Sequence, residues 1–177
     1  MKSKEMVKET ADVSFKLASY DDVFSDFDSR NYFKKALSDD FLAELKRASL
    51  DKSRVSELKI FMPSNKRTND EIAIRKRLKE HFSKHFNLLN IEHEKLVKWG
   101  VSFVAAGIIL MFVATFILFY YGEKTLLLNF LVILLEPGGW FLFWEGLDTI
   151  IFRTKGIKSD LEFYRKMSGC RIVFLPH

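Results

Sequence analysis

The chain has 177 residues, of which 48% are apolar and 29% charged, and its formal net charge is +5. Its single cysteine, Cys170, excludes an intrachain disulfide and offers no basis for a cysteine-based zinc site. The N-terminal stretch MKSKEMVKETADV has no apolar core of the kind found in signal peptides, so we expect no cleaved leader.

The first part of the chain predicts alternating strands and helices. The stretch ADVSFKLAS alternates apolar and polar residues and predicts a strand. SDDFLAELKRAS begins with a serine and two acids and ends in Lys46 and Arg47, which is the charge order that a helix dipole favours. VSELKIFMP predicts a second strand, which Pro63 would end.

A long helix is expected from Asp70 onward. Its apolar residues keep helical spacing, and no breaker separates it from the strongly apolar segment that follows. The pattern therefore predicts one helix, or two nearly collinear helices, leading into that segment. The apolar positions are Ile74, Leu78, Phe82, Phe86, Leu89 and Leu96.

Two apolar segments are long enough to cross a bilayer. Residues 99–121 contain no charge, and 23 helical residues span roughly 34 Å, against about 30 Å for the hydrocarbon core. A second span is expected over 125–152, with a break at 136–139, where the sequence reads Glu-Pro-Gly-Gly. The turn GEK, Gly122 to Lys124, joins the two.

The segment after the second span predicts a return to the N-terminal elements. SDLEFYRKM resembles a helix, and CRIVFLP a strand that needs partners, of which the two N-terminal strands are the nearest. We therefore expect an α+β membrane protein with a two-helix transmembrane hairpin inserted into a small cytoplasmic α/β domain, in the order β-α-β-α-TM-TM-α-β. The expected parts are 1–96, with the long helix over 70–96, the hairpin over 97–152, and 153–177.

The distribution of basic residues predicts the topology. Of the 28 lysines and arginines, 21 lie in residues 1–98 and six in 153–177, so 27 flank the hairpin at its open end. By the positive-inside rule, we expect both termini in the cytoplasm. The expected location is the plasma or inner membrane, which the chain crosses more than once. The bilayer is the expected partner. A nucleic-acid partner is not expected, since no binding module is visible.

Glu136 is the most unusual residue of the second span. It lies eleven residues after Thr125, about 16 Å deep, where a carboxylate is costly. Three interpretations remain open: a protonated Glu136 bonded to the Ile133 carbonyl that Pro137 frees, an ion or proton site, or a contact with another copy. The candidate residues for ion binding or helix packing are Glu136, Pro137, Gly138, Gly139, Trp140 and Trp144.

Other polar residues near the spans have more ordinary interpretations. Glu145 and Asp148 reach the cytoplasmic interface by helical rise, where Lys155, Lys158 or water can meet them. On the first span, the small residues Ser102, Ala106 and Gly107 predict a surface for close helix packing. An alternative to a kinked second span is a half-helix followed by an interfacial helix.

Metal binding has only weak candidates, and we expect no metal and no cofactor. The acidic stretch YDDVFSDFDSRNY contains Asp26 and Asp28 but no glycine turn of a calcium loop, so a cap or a partner-binding loop is the simpler reading. His81 and His85 share a helix face without a third ligand.

The sequence predicts a non-catalytic function, since it contains no nucleophile motif and no phosphate-binding glycine loop. We expect a self-associating, membrane-anchored scaffold or regulatory module whose cytoplasmic domain meets a protein partner. The alternative is an oligomeric ion or proton channel centred on Glu136, because two spans cannot enclose a pore alone. A third hypothesis is a membrane enzyme that uses the aspartate-rich loop with a metal.

Overall fold

The structure, a computed structural model, describes residues 10–121 and 125–177. The predicted Gly122–Lys124 turn and the first nine residues lie outside these ranges. The described chain combines helices with one sheet. In order, its elements are β1 (Thr10–Lys16), α1 (Asp39–Ser49), β2 (Arg54–Met62), α2 (Glu71–Tyr121), α3 (Leu126–Asp148), α4 (Thr154–Gly169) and β3 (Arg171–Pro176).

The three strands form a parallel sheet in the order β1-β2-β3. β3 pairs with β2 from Arg171 opposite Glu57 to Pro176 opposite Met62, so the prediction that the last strand returns to the N-terminal strands is confirmed. β1 pairs with β2 on the other side, with a register shift between Ala11 and Val13. β2 is therefore the central strand.

Contacts divide the chain into two compact units. The first, which we call the sheet unit, contains the described residues up to Leu88 together with Asp160–His177. The second, the helix-pair unit, is Leu89–Ser159. The chain thus leaves the sheet unit once and returns to it, as the predicted order of elements requires.

Alternation along the strands builds the core of the sheet unit. Leu58, Ile60 and Met62 are fully buried, while the residues that alternate with them, Glu57, Lys59 and Phe61, are half-buried. Helices α1, α2 and α4 cover this face with apolar side chains spaced one turn apart. Ser38 caps α1, accepting from the Phe41 amide at 3.4 Å, as its sequence predicts. The buried helix residues are Phe41, Leu45, Ile74, Leu78, Phe82, Phe163 and Met167.

Helix α2 is a single helix of 51 residues, Glu71–Tyr121, which confirms the one-helix version of the prediction. It measures roughly 76 Å at 1.5 Å per residue. Its fully buried stripe of Ile74, Leu78 and Phe82 ends in the sheet unit. The later positions Phe86 and Leu89 are only half-buried.

The predicted break at 136–139 is wrong. Helix α3 runs without interruption from Leu126 to Asp148, with Pro137 inside it. A proline removes one N–H donor, whereas a full break would leave several N–H and C=O groups unpaired among apolar side chains, so continuing the helix is the less costly solution. The last residues of the expected second span, 125–152, lie in a π-helical turn over Thr149–Arg153.

Candidate functional site

The two long helices meet through small residues that recur at every seventh position. On α2 these are Gly100, Gly107 and Ala114, and on α3 the matching positions are Val132, Gly139 and Gly146, all buried. A Cβ atom added to Gly107 would lie 2.6 Å from the Gly139 carbonyl oxygen, and one on Gly146 would lie 2.6 Å from that of Gly100. The helices are therefore antiparallel, with their backbones in direct contact.

The predicted small-residue surface is only partly correct. Gly107 belongs to the contact, but Ser102 is exposed, and its hydroxyl donates to the Lys98 carbonyl at 2.8 Å. Ala106 is half-buried beside the contact. The signal that could have located the contact is the seven-residue spacing of Gly100, Gly107 and Ala114, which keeps one seam of a helix against a partner.

Glu136 lies on the outward side of α3. Its side chain is exposed, and among the described residues it makes no hydrogen bond and no ion pair. The bond that a protonated Glu136 would donate to the Ile133 carbonyl stays a prediction. Pro137 beside it is also exposed.

The neighbours of Glu136 fall into two groups. Trp140 and Trp144 are exposed at 52% and 59% and stack on each other with ring centroids 6.3 Å apart. Gly139 faces the other way, since a Cβ on it would lie 3.0 Å from the Gly107 carbonyl oxygen, whereas one on Gly138 would meet nothing within 4 Å. Of the six residues predicted from Glu136 to Trp144, only Gly139 therefore packs against α2.

The two acids predicted at the interface pair with Arg153. Its guanidinium bonds the Glu145 carboxylate and lies 3.4 Å from that of Asp148. The expected partners, Lys155 and Lys158, are not used. The π turn explains the difference: the Thr154 amide donates to the Thr149 carbonyl five residues back, and this wider turn brings Arg153 onto the face of both acids.

His81 and His85 are adjacent, as their spacing predicts, with ring centroids 4.3 Å apart. His85 stacks on Tyr164 of α4 at 5.0 Å, and the His81 Nε2 atom is buried without a hydrogen-bond partner. Burial, together with the neighbouring His85, lowers the pKa of His81 to about 4, and burial also lowers the pKa of His85. Within 10–121 and 125–177, no three histidines, cysteines or acids gather in a way that could hold a metal ion.

Three of the four aspartates of the acidic loop, Asp21, Asp22 and Asp28, hold the loop together. The Asp28 carboxylate accepts from the Arg30 side chain at 2.7 Å and from the Ala36 amide at 2.6 Å, and these donors hold its pKa well below its usual range. Asp22 completes a capping box with Ser19, and Asp21 pairs with Lys35 at 3.0 Å. Asp26 is exposed and makes no hydrogen bond or salt bridge with any described residue.

The one thiol of the chain is poorly suited to nucleophilic chemistry. Cys170 is fully buried, and this burial raises the pKa of its thiol to about 11. Because the thiolate is the reactive form, a thiol held protonated at neutral pH is inert. Cys170 therefore serves packing beside Ile172 and Met167.

Comparisons of the chain with protein-family models, with curated proteins and with solved structures found no match. Two helices are long and apolar enough to cross a membrane, Glu71–Tyr121 and the segment Leu126–Gly169.

Proposed function

We propose that the chain is a small integral membrane protein whose helix pair crosses the bilayer as a hairpin and anchors a cytoplasmic sheet unit. Its role is that of a self-associating, non-catalytic scaffold or regulatory module. The observation that supports this most strongly is the inverted burial of the helix pair, in which glycines are inside and large apolar side chains are outside.

The outward surface of the helix pair is suited to lipid. Phe112 is 73% exposed, Phe119 82% and Leu126 87%. So large a continuous apolar surface would be unfavourable in water. In hydrocarbon the same side chains are well solvated, and close backbone packing at small residues is the usual way in which membrane helices associate. Tyr120 and Tyr121 at the end of α2 are suited to an interface.

The charge distribution supports one orientation. Basic residues flank the open end of the hairpin, including Lys95 and Lys98 on α2 and Lys155 and Lys158 on α4. Cytoplasmic ends of spans carry such lysines and attract anionic head groups. The proposed protein is therefore multi-pass in the plasma or inner membrane, with both termini in the cytoplasm.

Self-association is supported by Glu136. Facing lipid at mid-span, a carboxyl group without a partner costs about 3 kcal/mol on insertion scales. A second copy supplies the matching group, because two protonated Glu136 carboxyls can each donate to the carbonyl oxygen of the other across a two-fold axis. The Trp140 and Trp144 pair would flank this contact.

Two measurements test the proposal. With Cys170→Ala as background, Thr125→Cys should react with a membrane-impermeant maleimide on intact cells, and Lys158→Cys only after the cells are opened. Light scattering with the detergent mass subtracted should give at least two copies. Labelling of Lys158→Cys from outside overturns the orientation, and a monomeric mass overturns the self-association.

A second candidate function is an oligomeric ion or proton channel. It is supported by the same exposed Glu136, which a ring of copies could turn toward a shared lumen. The channel requires four or more copies and predicts that Glu136→Gln changes flux in liposomes, while Glu145→Gln, at the interface, serves as the control. If Glu136→Gln leaves flux and assembly unchanged, the scaffold is the better description.

A further inference from the structure

The acidic loop displays one aromatic side chain fully to solvent. Phe27 is 101% exposed, although the loop around it is tied down on both sides. The Ser25 amide donates to the Ala36 carbonyl at 2.9 Å, and the Asp28 carboxylate is bonded by Arg30 and by the Ala36 amide. A single exposed apolar residue is ordinary on a protein surface, but a tightly bonded loop that holds one outward resembles a preorganised anchor.

The sheet unit also carries a groove of about 550 Å³ between α2 and the start of β3. The buried side chains of Ile172 and Cys170 form its apolar floor, and the exposed Ile72 lines one side. Four basic residues line it, Arg75, Lys76, Lys79 and Arg171, against one acid, Glu80. Two of the four have ion-pair partners only at the long limit: Lys76 lies 3.9 Å from Glu80, and Arg171 lies 3.8 Å from Glu57.

The loop and the groove complement each other. An apolar floor with a basic rim suits an aromatic side chain flanked by carboxylates, and Asp26 next to Phe27 is exposed and makes no salt bridge with a described residue. Opposite charges at such a rim mainly give orientation and speed of association, while the buried aromatic gives most of the affinity.

We propose that the Phe27 loop of one copy docks into this groove of a second copy. Phe27 is exposed and does not occupy the groove of its own chain. The groove that it enters is therefore that of a neighbouring copy. In a two-fold dimer each loop enters the groove of the other chain, which makes the contact reciprocal. The inference rests on the proposed self-association and names a second surface for it, in the sheet unit.

Chemical cross-linking tests the contact directly. In the Cys170→Ala background, cells co-expressing Ser29→Cys and Gly169→Cys chains are treated with a short bismaleimide; Ser29 is an exposed neighbour of Phe27, and Gly169 lines the groove with open space at its Cβ position, so neither change removes the anchor or the basic rim. We expect a dimer band at least about tenfold stronger than with either single variant alone, since one site of each kind is then present. An equal band from Ser29→Cys alone means that the loops meet each other, which overturns the proposal.

A charge exchange provides the matched control. Asp26→Lys and Lys79→Glu should each weaken dimerisation of the full chain about tenfold in detergent, and the double variant should recover most of the loss. Phe27→Ala should weaken it by at least as much without changing the melting temperature, because the side chain is exposed. Additive losses in the double variant overturn the docking.

The light-scattering mass separates this inference from the proposed function. A monomer overturns both. An oligomer whose mass is the same in wild type and Phe27→Ala, without the cross-link between positions 29 and 169, overturns the docking of the loop and leaves self-association through the membrane helices standing.

Discussion

The two compact units of the chain bury side chains of opposite size. The sheet unit buries its largest apolar side chains, such as Phe82, Leu45 and Ile60, and exposes its charges. The helix-pair unit buries Gly100, Gly107 and Gly146 and exposes phenylalanines and tryptophans. The interior of the sheet unit is filled by large side chains, whereas in the helix-pair unit the two backbones are in contact at the glycines.

The difference shows which force holds each unit together. Removing large apolar surface from water stabilises the sheet unit, so that large side chains belong inside. Between the helices the buried side chains are few and of modest size, Ala114, Ile117 and Val132, so close contact of the backbones makes up much of the packing. A test of the comparison is therefore to make the same chemical change in both units.

Loss of a buried phenylalanine is the largest expected effect. Phe82→Ala should lower the free energy of unfolding by about 3–5 kcal/mol, because it opens a cavity in a fully buried position. Phe112→Ala removes the same atoms from a 73% exposed site in the helix pair and should cost less than about 1 kcal/mol. Denaturant unfolding in a mild detergent, followed by circular dichroism, measures both, and equal losses would break the comparison.

Addition of a methyl group at the helix contact comes next. Gly107→Ala should destabilise the helix pair by about 1–3 kcal/mol, since its Cβ would lie 2.6 Å from a carbonyl oxygen that cannot move away cheaply. Gly138→Ala is the matched control, because a Cβ there meets nothing, and it should be neutral or stabilising by up to about 1 kcal/mol. Thermal unfolding in lipid nanodiscs compares the two, and a stable Gly107→Ala protein would show that the backbones are not in contact.

Acidification should affect the sheet unit more than the helix pair. His81 is neutral in the folded state down to about pH 4, whereas in the unfolded chain it binds a proton near pH 6.5. Unfolding therefore takes up a proton between these values, and the stability that is fully present above pH 6.5 is lost progressively as the pH falls toward 4. The melting temperature of the wild type should drop across this range, and that of His81→Leu should drop less.

His93→Leu is the control for the acid effect, since His93 belongs to the helix-pair unit and not to the cluster of His81, His85 and Tyr164. Because the cluster is intact in His93→Leu, this variant should keep the acid-induced drop in melting temperature that His81→Leu reduces. If His81→Leu and the wild type lose stability in parallel, other groups are responsible for the acid sensitivity.

The smallest expected effect concerns Arg153. Arg153→Gln removes the bonds to Glu145 and Asp148, but the guanidinium is more than half exposed, so the loss should stay below about 1 kcal/mol. Lys158→Gln removes an equal charge that forms no ion pair with a described residue, and it should lower the free energy of unfolding by less still. Differential scanning fluorimetry at low and high salt separates the two, and a larger loss for Lys158→Gln would contradict the observed pairing.

Periodicity predicted the elements well, because each of its signals is local. The alternation in VSELKIFMP and the helical spacing through Ile74, Leu78 and Phe82 gave β2 and α2 with the correct buried faces. The charge order of SDDFLAELKRAS gave α1 and its Ser38 cap. Such patterns depend on residues a few positions apart, which a single sequence contains.

The site was predicted less well, because its geometry depends on a register that local patterns do not contain. The break predicted at Pro137 ignored that helix α3 loses only one donor there. The π turn that brings Arg153 to Glu145 has no recognisable sequence signal, and the stacking of His85 on Tyr164 joins residues far apart in the chain. The seven-residue spacing of Gly100 and Gly107 is visible in the sequence, but it does not say which residues of α3 these glycines meet.

The central position of β2 has a consequence for biosynthesis. Its two neighbours are made at very different times, since β1 leaves the ribosome first, while β3 follows only after α2, α3 and α4. At usual translation rates the nascent chain carries β2 with one open edge for roughly 5 to 20 s. During this interval the open edge of β2 is a template for pairing with another chain. A chain interrupted before Arg171 would hold both long helices and a sheet of β1 and β2 whose open edge is never covered.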